Sequence, residues 1–353
     1  MNIENLALEL KTNQAALVLS EENRLYLTGF HSTAGYLLVT REGSTFLTDS
    51  RYFEAASKAI TEAEVVLQGQ IYLQISDLLQ QCGCTEVLVE AGRMTLSELN
   101  TWRKMMPTCS YNVSNRLDNL INALREVKSE EEAACMQKAQ DIAEAALTEL
   151  LPLMKPGVAE RDLANELDYR MRKLGADGIS FDTIVVSGEN SSKPHGVPGE
   201  RLLRTGDFVT VDYGAIYRHY HSDCTRTFAI GTPTEEMVNI YETVKRAQQA
   251  GLDFIQPGIA GAALDKAARD VITEAGFGEY FGHSTGHGVG VEIHEFPYAG
   301  PKSDSYLAQG AVVTCEPGIY LPGKFGVRIE DMVLVTESGY RNFCHLTKDL
   351  IVL

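Results

Sequence analysis

The stretch His283-Ser-Thr-Gly-His-Gly-Val-Gly-Val-Glu-Ile-His294-Glu295 holds three histidines and two acids, spaced by glycines and small side chains. That spacing lets imidazoles approach a bound cation without crowding it. Four further acids, Asp212, Asp223, Glu316 and Glu330, stand in otherwise apolar, β-branched contexts. An isolated ionised carboxylate is costly there, and four brought together raise one another's pKa. Bound cations resolve both conflicts. Four carboxylates with the imidazole of His287 form an oxygen-rich set that suits Mn²⁺, Co²⁺, Fe²⁺ or Zn²⁺. Four acids also exceed what one ion needs, so two ions about 3.5–4 Å apart fit better. Taken singly, each acid could equally well end a strand at the surface.

Strand periodicity decides which of these side chains share a face. Phe208, Thr210 and Asp212 align, as do Val312, Thr314 and Glu316, and Arg328 with Glu330. His221, Asp223, Thr225 and Thr227 align if residues 221–227 form one strand, which would put His221 beside the metal ligands. His219 lies just before it. An internal repeat underlies the pattern. Met154-Lys-Pro-Gly-Val-Ala159 recurs as Ile255-Gln-Pro-Gly-Ile-Ala260, each leading into an amphipathic helix that ends at Gly175 or Gly276. Gly206-Asp-Phe-Val-Thr-Val-Asp212 recurs as Gly310-Ala-Val-Val-Thr-Cys-Glu316, an acid six residues after each glycine. Two helix-plus-strand halves predict a pseudo-two-fold domain whose strands meet centrally.

Upstream, the composition shifts around Leu124-Arg-Glu-Val-Lys-Ser129, which puts a boundary near residue 123. Ser129 and Glu132 form a capping box. Met136, Ala139, Ala143, Ala146, Leu147 and Leu150 then fall at helical spacing. Residues 1–122 read as a small α/β domain. Strands are expected at 14–19, 24–29, 36–40, 45–48 and 86–90, with helices at 51–60 and 72–82. Phe30, His31, Arg51 and Tyr52 are its exposed candidates, and no catalytic constellation is visible there. The net charge of −17 argues against nucleic acid or an anionic membrane as partner. No apolar run approaches a membrane span, and the first residues do not read as a signal peptide. Seven scattered cysteines point to a reducing, cytoplasmic setting. Cys82 and Cys84 read as ordinary thiols and Trp102 as packing.

With these motifs in place, the sequence resembles the M24 metallopeptidases of pita-bread fold, nearest to the Xaa-Pro peptidases (prolidase and aminopeptidase P). The likeness covers essentially the whole chain. It is densest in Val211-Asp-Tyr-Gly, Ser222-Asp-Cys-Thr-Arg-Thr-Phe, the His283 stretch, Glu316-Pro-Gly-Ile-Tyr and Val327-Arg-Ile-Glu-Asp. Tyr26-Leu-Thr-Gly-Phe30 and Leu47-Thr-Asp-Ser-Arg-Tyr52 look like the subfamily's amino-terminal domain. The resemblance implies an α/β (α+β) protein, with a creatinase/prolidase-like domain over residues 1–122 and a catalytic pita-bread domain over 123–353. It implies metal ligands at Asp212, Asp223, His287, Glu316 and Glu330. Asp223 and Glu330 would bridge two divalent ions, manganese before cobalt, zinc or iron. The expected reaction is hydrolysis of the bond between an N-terminal residue and proline by a metal-bridging hydroxide. Glu316 would shuttle the proton, and His195 and His294 would be donors to the oxyanion. His283 would line the substrate site, and Arg328 would hold the metal carboxylates or the substrate's carboxylate. Phe181, Tyr217, Tyr298 and Tyr320 are candidates for an apolar wall around proline. The expected partners are a peptide with proline second and a second copy of the chain. Cys315 departs from the family pattern. A creatinase-like hydrolase or an inactive peptide-binding relative would have lost ligands, and none is lost. Prolidase and aminopeptidase P are not separated by sequence.

Overall fold

Short apolar, β-branched runs form the strands of residues 1–125, the first of two units into which the chain divides. They are β1 (Gln14–Val18), β2 (Tyr36–Val39), β3 (Ser44–Thr48), β4 (Glu64–Leu67), β5 (Glu86–Val89) and β6 (Ser110–Asn112). Their order in one mixed sheet is β4-β3-β2-β1-β5-β6. Helices α1 (Asn2–Leu8), α2 (Glu21–Thr28), α3 (Phe53–Ala59), α4 (Ile71–Gln81), α5 (Leu96–Met105) and α6 (Arg116–Glu126) connect them. The computed structural model describes residues 2–353. Trp102 packs edge-on against Tyr36 and Tyr72 in this unit's core.

The expected strand at 24–29 is helix α2. Ser20 stands at its N-cap position in extended conformation without a side-chain capping bond, Glu21 and Glu22 sit in its first turn, and Gly29 closes it at φ 67°. Acids there favour the helix's positive end, and a left-handed glycine is a common stop. Residues 23–27 are all buried, so the helix shows no amphipathic stripe and its apolar run mimics a strand. His31 pairs with Glu21 at 2.6 Å on the surface.

Residues 126–353 carry the repeat. Helices α7 (Glu130–Leu150) and α8 (Glu160–Lys173) are followed by β7 (Gly178–Ile179), β8 (Ile184–Ser187), β9 (Phe208–Tyr213), β10 (Ala215–Tyr217), β11 (Tyr220–His221) and β12 (Cys224–Ala229). Helices α9 (Glu235–Phe254) and α10 (Gly261–Glu274) then precede β13 (Gly286–Gly288), β14 (Glu295–Ala299), β15 (Val312–Cys315), β16 (Gly318–Leu321), β17 (Phe325–Arg328), β18 (Asp331–Thr336) and β19 (Gly339–Asn342). The sheets run β12-β9-β8, β11-β10-β7 and β14-β13-β15-β18-β19, with β16-β17 a hairpin. The Ser129–Glu132 capping box opens α7, and the six apolar residues named for its stripe are all buried.

The duplication is visible bond by bond. Gly157 N–H donates to Leu203 O at 2.9 Å, and Gly258 N–H donates to Leu307 O at 2.7 Å. Leu203 N–H returns to Val158 O, and Leu307 N–H to Ile259 O, both at 2.9 Å. The paired glycines 157/258, 175/276 and 206/310 are all left-handed, a conformation glycine adopts without a Cβ penalty. Asp212 lies opposite Thr225, while Cys315 lies opposite Asp331. With Asp212 equivalent to Glu316, Thr225 is equivalent to Glu330, and Arg226 to Asp331. These equivalent residues meet each other. Thr225 Oγ1 donates to Glu330 Oε2 at 2.7 Å, and Arg226 NH2 lies 2.7 Å from Asp331 Oδ1. The pseudo-two-fold axis therefore passes beside Glu330.

Candidate metal centre

Five elements deliver the candidate ligands around that axis. Asp212 is the penultimate residue of β9, Asp223 immediately precedes β12, Glu316 immediately follows β15, and Glu330 lies between β17 and β18. His287 is the middle residue of β13. His287 Nε2 is 3.5 Å from Asp223 Oδ2 and 3.5 Å from Glu316 Oε1. Ligand atoms of Asp223, His287 and Glu330 all lie within 4.8 Å of one another. Asp212 joins through Arg328, whose NH2 donates to its Oδ2 at 2.7 Å.

The electrostatics of this cluster are unbalanced. Burial, reinforced by the neighbouring carboxylates, pushes the pKa of Asp223, Glu316 and Glu330 well above the carboxylate range. Arg328 is the guanidinium that reaches the cluster. Asp212 Oδ1 is buried and has no hydrogen-bond partner. An orphaned acceptor among four acids fits divalent cations. Burial, with His294 nearby, lowers the His287 pKa to about 4, so its ring is neutral. His287 Nδ1 faces the Gly288 carbonyl at 3.1 Å. The proton on that nitrogen leaves the Nε2 lone pair aimed at the acids.

A surrounding set of hydrogen bonds holds the ligands. Arg328 Nε donates to Thr225 Oγ1 at 3.0 Å, and its NH1 donates to Tyr320 Oη at 2.9 Å and to Pro194 O at 3.2 Å. Every guanidinium nitrogen is therefore engaged by the protein, which favours the metal-carboxylate reading of Arg328. Helix α10 secures the His283 segment: Asp265 accepts from Thr285 N at 3.1 Å and from Thr285 Oγ1 at 2.9 Å. Arg269 pairs with Asp265 and donates to the His283 carbonyl at 2.7 Å.

His195 and His294 are exposed. The His294 ring centroid is 4.2 Å from that of His287. His195 lies close enough to His283 and His294 to depress the pKa of both, after the larger effect of burial. His283 Nε2 is 2.9 Å from Tyr320 Oη, and burial lowers its pKa to about 4. Tyr320 is thus tied into the Arg328–His283 network, whereas Tyr217 packs against the core on β10. Tyr298 is exposed on β14 and Phe181 is partly buried.

His221 does not share a strand face with Asp223. The expected strand 221–227 breaks at Ser222–Asp223, so β11 and β12 belong to different sheets. The Ser222 hydroxyl takes the Ala215 N–H at 3.0 Å and helps turn the chain there. His221 instead packs under the loop after β13, donating its N–H to Gly290 O at 2.9 Å. His219 and Arg218 form the two-residue turn between β10 and β11, at φ 70° and 48°. Thr225 and Arg226 were not legible as part of the site, although Thr225 falls on the face predicted for the ligand strand. Their signal lies in the repeat: they occupy the positions equivalent to Glu330 and Asp331.

The sequence model of metallopeptidase family M24 matches residues 134–337, and that of the creatinase/prolidase N-terminal domain matches residues 5–127. An Xaa-Pro dipeptidase of Pyrococcus horikoshii is 35% identical, over 96% of this chain and 94% of its own. The structure of an Xaa-Pro dipeptidase from Bacillus anthracis superposes with a TM-score of 0.95 at 40% identity, covering 100% of this chain and 99% of that one. That of an X-Pro aminopeptidase from Thermotoga maritima gives 0.89 at 33% identity, covering 96% and 95%.

Proposed function

The chain belongs to metallopeptidase family M24, and from that membership we infer that it is a metal-dependent Xaa-Pro peptidase. The observation that carries the reading is the gathering of His287 with four acids, one of which keeps a buried oxygen without a partner. We assign the metal ligands to Asp212, Asp223, His287, Glu316 and Glu330, and take the cations to be a pair, manganese first. Bound divalent ions supply a Lewis acid and lower the pKa of water towards about 7.

The remaining steps fall to side chains. Glu316, its side chain partly exposed, takes the proton of the attacking water on a carboxylate oxygen and passes it to the departing proline nitrogen. His294, exposed beside His287, and His195, exposed near His294 and His283, donate hydrogen bonds to the carbonyl oxygen as it gains charge. His283 lines the substrate side, held by Tyr320. Arg328 holds Asp212 in place. An Xaa-Pro bond has no N–H and its two isomers lie close in energy, so recognition depends on ring shape and the free amino group.

The likeness to the Bacillus anthracis dipeptidase supports dipeptides as the substrate class. A manganese-supplemented assay comparing an Xaa-Pro dipeptide with a longer peptide beginning Xaa-Pro decides this. Cleavage of the dipeptide alone is expected, cleavage of the longer peptide means an aminopeptidase, and cleavage of neither by metal-loaded protein overturns the assignment. We place the protein in the cytoplasm as a homodimer. Its seven cysteines are unpaired, which suits a reducing compartment. No helix among the described residues is long and apolar enough to cross a membrane.

A further inference from the structure

Glu295 closes the histidine-rich stretch, yet the chemistry above does not use it. Its Oε1 accepts from Lys128 Nζ at 2.7 Å, and the two side chains are only 6% and 1% exposed. Glu295 Oε2 receives the Glu292 N–H at 3.4 Å, and Lys128 Nζ also reaches the Glu126 carbonyl at 3.3 Å. A Cβ on Gly290 would lie 2.3–2.7 Å from the Glu295 carboxyl group. The carboxylate therefore fills the space beneath the loop of residues 289–294, which only glycine leaves open at that point.

This loop joins β13, which carries His287, to β14, which begins at Glu295. The β13–β14 register shifts between His287 and Gly288, with Gly288 facing Glu295 across the base of the loop, so Glu295 stands where the ladder is irregular. His294 is the loop's last residue. A buried ion pair is a weak source of net stability compared with well-packed apolar groups. It does fix direction, because each charge must meet its partner.

We propose that Lys128 and Glu295 form a positioning pair that sets the imidazole of His294 beside His287. Lys128 lies outside every motif of the metal centre and acts through His294 without touching substrate. The proposal rests on the reading of His294 as a donor to the reacting carbonyl. The test uses the full-length, metal-loaded enzyme with an Xaa-Pro dipeptide. K128M and E295Q are each expected to lower kcat at least about tenfold, with KM within about twofold. In an H294A background the same substitutions should cost little more, because residues acting as one unit are not additive. Should K128M fail to fold, the isosteric E295Q carries the same comparison. A kcat within about twofold of wild type, or a loss undiminished in H294A, overturns the proposal. The imidazole NMR signal of His294 in zinc-loaded protein, assigned by its loss in H294A, gives a readout apart from turnover. An unchanged signal in both variants also overturns the pair's role. A shifted signal with no wild-type turnover sustains the pair and overturns the peptidase reading instead.

Discussion

Asp223 is the residue on which the centre most depends. It is buried, meets His287 at 3.5 Å and is pushed upward by burial and by Glu330, Asp212 and Glu316. Asp223→Ala is expected to abolish dipeptide turnover while leaving a soluble protein, because it relieves repulsion as it removes a ligand; activity of wild-type size would contradict its bridging role. Glu330 yields a pH prediction for the metal-free protein. Burial, then Asp212, raises its pKa from 4.5 to about 8. Between those values the folded state holds a proton that the unfolded state has lost. Below about pH 6.5, His283 and His287, whose pKa values burial lowers from 6.5 to about 4, work in the opposite sense, so stability of metal-free protein should fall as pH rises from roughly 6.5 towards 8. Loaded metal replaces that proton, so the fall should vanish in manganese-loaded protein. Thermal midpoints with and without chelator across that range check this, and a metal-free midpoint that climbs with pH would refute it.

At the scale of elements, β13 must press against β15 to bring His287 over Glu316. A Cβ at Gly286 would lie 2.0 Å from the Thr314 carbonyl oxygen, and Thr314 Oγ1 also accepts the His287 N–H at 3.1 Å. Gly286→Ala must push the two backbones apart, which costs on the order of 1–3 kcal/mol. It should weaken metal binding as well, because His287 moves with its strand. Denaturant melts and a metal titration measure both, and unaltered metal affinity would show that β13 does not govern the ligand. The same scale shows what sequence could and could not reveal. The ligand strands were legible because repeat and alternation agree at Asp212 and Glu316. Helix α2 was not, because burial all round erases helical periodicity. The break before β12 was missed because the run His221-Ser-Asp-Cys-Thr-Arg-Thr227 holds no glycine or proline to mark where Ser222 turns the chain. Lys128 and Glu295 lie 167 positions apart, a pairing that no local pattern encodes.

For the molecule as a whole, the duplication gives equivalent residues that face each other across a pseudo-axis, and Arg226 with Asp331 is the buried ion pair among them. Arg226 NH1 donates to the carbonyls of Glu330, at 2.5 Å, and Thr225, at 3.0 Å, so one side chain grips backbone from both halves. Asp331 Oδ2 takes Gln248 Nε2 at 3.0 Å and Asn342 Nδ2 at 2.9 Å, and Lys348 lies 3.1 Å away. Removing one partner of a buried ion pair typically costs 3–5 kcal/mol, roughly, because the other charge stays behind. Arg226→Met should therefore lose about that much, less whatever Lys348 recovers for Asp331. Pairing it with Asp331→Asn removes the stranded charge, so the double variant should be more stable than the sum of the two single losses. The metal should report the same event, since Glu330 hangs from the backbone that Arg226 holds: Arg226→Met is expected to weaken manganese binding even where the protein is folded. Calorimetric melting and metal titration of the three variants separate the two effects. Strictly additive losses with wild-type metal affinity would mean that the halves are joined elsewhere, and that the axis is a trace of duplication with no part in holding the centre together.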